Sequence, residues 1–369
     1  MSVPFFDLKR QISSIKTDIM LAVESVVDSG AFILGPKVAE LESFFANYIG
    51  TKHAIAVASG TDALHLALRS INIKEGDEVI TTPFTFVATV DAIVYCGARP
   101  VFVDIEPNTF NINPDLIKKS ITNKTKALIP VHLYGQSSDM ADICDICAKN
   151  NCKIVEDCAQ AIGAEYNQHK VGSIGDIGCF SFFPTKNLGC FGDGGIAATN
   201  NDAIAENLRM FRAHGSRRPY HYDFIGFNSR LDSLQAAILL VRFKYLEEWT
   251  RRRRHNANLY HKHLKEIKEI ALPYELPNGK HVFNQFTVRI RERDELFEYL
   301  KTKGIGSMVY YPLSLHLQKA FSYLGYKKGD FPEAEKAQDQ VLSLPIFPEL
   351  TNLEILEVCK ELKNFYGQS

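Results

Sequence analysis

Short β-branched runs alternate with helix-period stretches through the first half of the chain. AIAVA at 54–58 precedes TDALHLALRSI, EVITT at 78–82 precedes a helical pattern through Asp91 to Cys96, and PVFVD follows at 100–104. The rhythm continues in the segment 124–132, which contains KALIPVH, in a helical pattern over 139–149, and in KIVE at 153–156, which runs into Asp157. Apolar strands separated by helices predict an α/β fold, with a mostly parallel sheet covered on both faces. Ligands of such sheets gather beyond the carboxyl ends of the strands, where Asp157 stands. From Asn228 one long helix is predicted through Asp232 to about Lys262, opened by Asp232 and Gln235 as an approximate capping box. Its LQAAILLV segment is apolar around the whole circumference and therefore demands cover on both sides, as at a subunit or domain interface. After residue 265 the pattern restarts with QFTVRI at 285–290, a helical ELFEYLKTKG and a closing helix over 352–366. The expected organisation is a large domain over 1–250 and a smaller α+β domain over 251–369, since 369 residues exceed one ordinary core.

Composition removes some functions. Hydrophobic residues make up 46% of the chain, and 42 basic against 43 acidic side chains leave a formal charge of −1, so no general attraction to nucleic acid or to a membrane surface is expected. The Arg251 to Arg254 run cannot form one basic helical face, because consecutive residues step around the helix. Glu247 and Glu248 precede Arg251 and Arg252 by four positions, which predicts a solvated, ion-paired face. Asp7, Lys9 and Arg10 follow only a very short apolar patch, unlike a secretory signal, and no run reaches the ~18 apolar residues of a membrane span. The expectation is a cytoplasmic protein whose eight cysteines are free thiols. Cys144, Cys147 and Cys152 lack a second pair at metal-binding spacing, and Ile143, Cys144 and Cys147 fall on the inner face of a helix as small hydrophobes.

The candidate chemistry rests on an amine and an acid. Lys186 lies in GCFSFFPTKNLGCFGDGG, residues 178–195, where a strand-like run meets a proline and then glycines. An amine there suits a Schiff base with a carbonyl cofactor, and a carboxylate beside a pyridine nitrogen keeps that nitrogen protonated. Lys186 and Asp157 together fit pyridoxal phosphate, with Glu156 directed to the opposite face if the strand alternates. Ser59, Gly60 and Thr61 in ASGTDALHLAL offer a hydroxyl, a close backbone approach and a helix start for a phosphate. PFTFVAT supplies Phe84 and Phe86 as rings that could cover a pyridine face or fill the core. GDGG at 192–195 lacks the spacing of a nucleotide loop and reads as a tight turn.

These segments stand in a familiar order. FFDLKRQ from residue 5, SGAFILGPKVAELE, ASGTDALHLAL, PFTFVATVDAI, VHLYGQSSDM, VEDCAQAIGA, VGSIGDIGCFSFFPTKNLGCFGDGG, GFNSRLDSLQAAIL and LSLPIFPEL near 343 resemble the DegT/DnrJ/EryC1/StrS family of sugar aminotransferases, nearly end to end. The resemblance implies the aspartate aminotransferase architecture, PLP fold type I, with a seven-stranded sheet. It implies that Lys186 forms the Schiff base and Asp157 pairs with the pyridine nitrogen, that Gln160 sits near the phenolic oxygen, and that Phe86 takes the stacking place. Gly60, Thr61 and Ser181 would hold the phosphate, joined by Asn228 of a neighbouring subunit, which makes a homodimer with shared sites the expected active form.

The implied reaction is ping-pong. Glutamate leaves its amine on the cofactor and departs as 2-oxoglutarate, after which the amine passes to a keto-sugar linked to a nucleoside diphosphate, with the displaced Lys186 moving the proton. SFFPTKNLG with GDGG, and NSRLD, look like members that aminate carbon 3 rather than carbon 4. RAHGSRRPYHYDFIGFNSRLD looks similar to enzymes acting on UDP-2-acetamido-2-deoxy-3-oxo-glucuronate, and Arg230 could pair with a carboxylate or diphosphate there, or form an interface ion pair. Tyr310, Tyr311 and Pro312 stand where many relatives have His-Tyr-Pro, so a phenol replaces a substrate-contacting imidazole and a dTDP-linked 3-keto-6-deoxyhexose stays open. The dehydratase branch replaces the lysine by histidine, and Lys186 argues against it. A DNA-binding regulator, an old description of some members, finds no basic recognition helix here.

Overall fold

A computed structural model describes residues 2–218 and 220–367. Its centre is a seven-stranded sheet: β1 (His53–Val57), β2 (Glu78–Thr81), β3 (Arg99–Phe102), β4 (Thr125–Leu128), β5 (Lys153–Asp157), β6 (Ile177–Ser181) and β7 (Gly195–Thr199), in the order β1-β7-β6-β5-β4-β2-β3. Neighbours from β6 through β3 pair in parallel, and β7 alone runs against the others, antiparallel to both β1 and β6. Both faces are covered, as the unbroken apolar character of the strands requires. One face packs Ile55, Val79, Ala127 and Val155 on Leu64, Leu68, Ile93 and Leu208; the other packs Ala54, Phe180 and Ile196 on Phe45, Leu239 and Phe243. A second, two-stranded sheet, β8 (Phe286–Arg289) with β9 (Val341–Leu344), anchors a separate core containing Tyr260, Leu300 and Leu362.

The long helix after Asn228 is two helices. Those relevant here are α1 (Leu8–Ser29), α2 (Pro36–Ile49), α3 (Gly60–Ser70), α4 (Ser233–Phe243) and α5 (Leu246–Leu264), and the break at Lys244–Tyr245 separates α4 from α5. Leu239 and Phe243 of α4 and Leu246 at the start of α5 belong to the core beside the large sheet, and Ala257, Tyr260 and Leu264 further along α5 belong to the core beside β8 and β9. Asp232 caps α4 by accepting from Gln235 N at 2.8 Å, but the Gln235 side chain serves Phe191 N at 2.7 Å, so the reciprocal half of the box is missing. The two apolar flanks of α4 are covered from within the chain: Ile15 and Ile19 of α1 meet Ile238 and Val241, and Leu41 and Phe45 of α2 meet Ala236 and Leu239.

The arginine run divides. Arg251 and Arg252 bind Glu248 at 2.7 Å and Arg254 binds Glu275 at 2.7 Å, all at or near the surface as the charge pattern predicts. Arg253 departs from that pattern. It is 2% exposed, and its Nη1 donates to the carbonyls of Phe283 at 3.1 Å, Asn284 at 3.4 Å and Ile346 at 2.9 Å. Cys147 and Cys152 are buried beside Ile143 and Ile146, Cys144 is half-buried, and all eight cysteines are free. Among the described residues, no helix is long and apolar enough to cross a membrane.

Candidate active site

Reversal of β7 creates the site. It folds the segment between β6 and β7 back over the carboxyl edge of the sheet, where Phe182 N donates to Gly194 O at 2.8 Å and Cys190 N donates to Phe182 O at 2.8 Å. Lys186 sits in that segment, half-buried, with its backbone N–H on Phe183 O at 2.9 Å. A Cβ on Gly189 would lie 2.5 Å from Pro184 O, so the close fold of this lysine loop requires a glycine. Asp157 ends β5 at the same edge, and both residues line one cavity of about 710 Å³.

Strand alternation separates the two carboxylates as predicted. Asp157 is buried with Thr89 Oγ1 donating to Oδ2 at 2.8 Å and Ala159 N donating to Oδ1 at 3.1 Å. Glu156 points to the opposite face and accepts from the backbone of Gly172 at 2.8 Å, Ile174 at 2.9 Å and Gly175 at 2.6 Å, and from His132 Nε2 at 2.9 Å. Since His132 Nδ1 accepts from Ser138 N at 3.0 Å, Nε2 carries the proton. The buried trio of His132, Glu156 and Cys158 therefore has no free imidazole lone pair for a metal ion. It braces β5 from behind.

Burial acts on both groups in the cavity. Desolvation lowers the Lys186 pKa to about 8, against a smaller upward pull from Asp157. Desolvation also raises the Asp157 pKa, opposed by Thr89, Ala159 and, more weakly, Lys186. Each charge is thus held in a place that penalises it, and the two sense one another.

The amino end of α3 opens onto the same space. Ser59 caps the helix by accepting from Asp62 N at 3.1 Å, and Ser59, Gly60 and Thr61 line the cavity with Ser181. A Cβ on Gly60 would come 2.6 Å from Ser181 Cβ, so only a bare backbone fits between these elements. Of the two phenylalanines in PFTFVAT, Phe84 is core and Phe86, 57% exposed, is a cavity wall. Gln160 is pinned: Oε1 accepts from Tyr134 N at 2.7 Å and Nε2 donates to Tyr311 Oη at 3.1 Å. The Tyr134 hydroxyl in turn donates to the Tyr310 carbonyl, and burial drives the Tyr311 phenol well above its usual range, which keeps it neutral.

Lys186, Asp157, Gly60, Thr61, Ser181, Phe86, Gln160, Tyr310 and Tyr311 all meet in this cavity. Asn228 and Arg230 do not line it. Asn228 is exposed, and Arg230 is half-buried with its Nε unpartnered among the described residues. Their segment is tied to α3 through Ser229, whose hydroxyl donates to Asp62 Oδ2 at 2.7 Å. Sequence reasoning missed Phe5, Thr89, Asn284 and Gln285. Thr89 lies in a quoted motif but its role depends on a contact with β5, and Asn284 and Gln285 stand just before and at the first position of a predicted strand, with nothing local to mark them.

A family model described as the DegT/DnrJ/EryC1/StrS aminotransferase family matches residues 13–363. The chain is 49% identical to a Geobacillus stearothermophilus protein named pleiotropic regulatory protein, over 99% of each chain. It is 44% identical to the UDP-N-acetyl-3-dehydro-alpha-D-glucosamine 3-aminotransferase of Acidithiobacillus ferrooxidans, over 98% of this chain and 97% of that one. Its fold is similar to that of S. venezuelae DesV solved in complex with a ketimine intermediate, with a TM-score of 0.97 and 42% identity over 99% of this chain and 98% of that one.

Proposed function

The chain belongs to the DegT/DnrJ/EryC1/StrS aminotransferase family, and on that premise we propose that it moves an amino group from glutamate to carbon 3 of a nucleotide-linked keto-sugar. It is a sugar aminotransferase, and its cofactor is pyridoxal phosphate. The residues fit that group: Asp157 is a buried acid with only a hydroxyl and an amide on its oxygens, which leaves it in need of a cation, and the Gly60 backbone offers a cradle that any side chain would fill. When bound, the cofactor supplies an aldehyde for amine exchange and a ring that accepts an electron pair.

Lys186 would hold the aldehyde end, Asp157 the ring nitrogen, Phe86 the ring face and Gln160 the phenolic oxygen. Gly60, Thr61 and Ser181 would hold the phosphate, with Asn228 supplied by a second copy of the chain. Exposed Met20, Leu21, Val27, Phe32 and Ile33 support a homodimer, because an apolar surface of this kind calls for cover. Lys186 Nζ, once free, takes a proton from the substrate carbon and returns it to the other side of the exchange; a pKa near 8 suits both directions at neutral pH.

The observation that carries the proposal is the shared cavity of Lys186 and Asp157. Carbon 3 is favoured by the motifs around Lys186 and by the name of the Acidithiobacillus relative. UDP-2-acetamido-2-deoxy-3-oxo-glucuronate is the substrate favoured by the 212–232 run, with Tyr310 and Tyr311 against the sugar and Arg230, which like Asn228 does not line this chain's own cavity, reaching its carboxylate or diphosphate from a second copy of the chain. The test runs the reaction backwards, from UDP- or dTDP-linked amino sugars with 2-oxoglutarate, following glutamate. Turnover of the 3-amino sugar is expected; faster turnover of the 4-amino isomer overturns the choice of carbon.

The lysine's environment gives a second expectation. Only the neutral amine attacks an aldehyde, so uptake of pyridoxal phosphate by cofactor-free protein should quicken as pH rises to about 8 and then level off. An ordinary lysine would keep accelerating toward 10.5. By linkage the same group penalises the cofactor-free fold in full below pH 8, and the penalty fades as pH rises from 8 to 10.5, where the unfolded chain binds the extra proton. Growth of the visible cofactor absorbance against pH measures the first effect.

A further inference from the structure

We infer that Asn284 sets the enzyme's sugar preference by accepting a hydrogen bond from a hydroxyl or an acetamido N–H on the substrate's sugar ring. The inference rests on the nucleotide-sugar reading above and adds the residue that reads the sugar and the kind of group it reads.

Asn284 lines the cavity yet is only 9% exposed. Its Nδ2 donates to Gln285 Oε1 at 2.6 Å, which leaves the side-chain oxygen as the end of the amide still to be paired. That oxygen, Oδ1, is buried and has no hydrogen-bond partner among the described residues. A buried acceptor left unmet destabilises whatever state it is in, so a ligand that brings a donor gains by meeting it.

The backbone on either side is fixed. Arg253 Nη1 holds the carbonyls of Phe283 and Asn284, Val282 N donates to Gly135 O at 2.9 Å, and Gln285 N donates to Tyr134 O at 3.3 Å. The segment also borders the reacting centre: Asn187 Nδ2, on the residue after Lys186, donates to Val282 O at 3.1 Å, and Tyr134 N holds Gln160. An acceptor oriented by its own shell before the ligand arrives is the arrangement a specificity contact needs.

Chemistry narrows the partner. Glutamate's two carboxylates and the cofactor's phosphate and ring oxygen are acceptors, and glutamate's one donor, its α-ammonium, is the group exchanged at the Lys186 end of the cavity, so none of these is left over for Oδ1. A sugar ring carries donors beside its reacting carbon, either hydroxyls or the N–H of an acetamido group. Sites built to bond such a donor reject the analogue that lacks it, because the protein group is then left unmet.

The experiment uses the holoenzyme and pairs of nucleotide-linked 3-amino sugars that differ by one hydroxyl or acetamido group at carbon 2 or carbon 4, run backwards with 2-oxoglutarate. Removing one of these groups should cost the wild type at least ~100-fold in kcat/KM. Asn284→Ala should narrow that ratio below about 10, and so should Asn284→Leu, which fills the same volume without an acceptor. Asn284→Asp, which keeps one, should retain the ratio. The loss from Asn284→Ala should fall on the sugar half-reaction, at least about tenfold more than on the bleaching of the cofactor by glutamate alone. Calorimetric binding of the same sugar pairs should rank them alike. An unchanged ratio in both Asn284→Ala and Asn284→Leu, or an equal loss in both half-reactions, overturns the inference. Bleaching by glutamate with no turnover of any sugar overturns the nucleotide-sugar reading itself, and this inference with it.

Discussion

Lys186→Ala should leave a folded protein whose amino transfer is slower by about 10⁴-fold, because the substitution removes both the amine that holds the cofactor and the group that moves the proton. Since the wild-type lysine is forced into a desolvated place, the alanine variant loses nothing that supports the fold. Cofactor-free Lys186→Ala should therefore unfold at a temperature no lower than cofactor-free wild type between pH 6 and 8. The activity is measured by single turnover with glutamate and by glutamate formation from the amino sugar. Retention of even a hundredth of wild-type turnover would remove Lys186 from the centre of the chemistry.

Asp157→Asn should lower kcat by about 10²–10³-fold while the protein still takes up the cofactor, as expected when one preorganised charge is neutralised in a buried site. An amide can still accept from Ala159 N, but it cannot hold a cation as a carboxylate does. Stability should move the other way. Burial raises the Asp157 pKa, so its ionised form costs the cofactor-free fold free energy at neutral pH, and that cost falls away as pH drops through the raised value. Cofactor-free Asp157→Asn should accordingly melt higher than wild type at pH 7, with the difference shrinking at pH 4. A variant that is both active and destabilised would mean that Asp157 serves the sheet and not the cofactor. Opposed effects on activity and stability are the mark of a functional strain that the rest of the fold sustains.

Five strands of the sheet were legible as short apolar runs with helices between them, and β6 as a strand-like run, whereas β7, which follows the lysine loop with no helix before it, was not read. The division of the helix after Asp232 was not legible either, since no glycine or proline marks Lys244 and Tyr245. Arg253 could not be told from its three neighbours in the run, because the carbonyls that hold it come from residues 283, 284 and 346. Within the cavity, Asp157 announced itself by ending an apolar strand, Lys186 by following a strand-like run just ahead of glycines, and both by their chemistry. Phe84 and Phe86 fell outside any strand, so alternation could not say which was wall and which was core. Asn284 was invisible for a different reason: what distinguishes it is an oxygen without a partner, and a missing contact leaves no trace in local composition.

Asn284 is carried on a backbone that Arg253 of α5 holds, whereas Lys186 and Asp157 belong to the edge of the large sheet. Choice of sugar and transfer of nitrogen are thus assigned to different supports that meet across a single gap. Drift in the outer support can redirect the catalyst to a new carbohydrate while the nitrogen-handling half stays untouched, which gives such a scaffold a route to diversify without relearning its reaction.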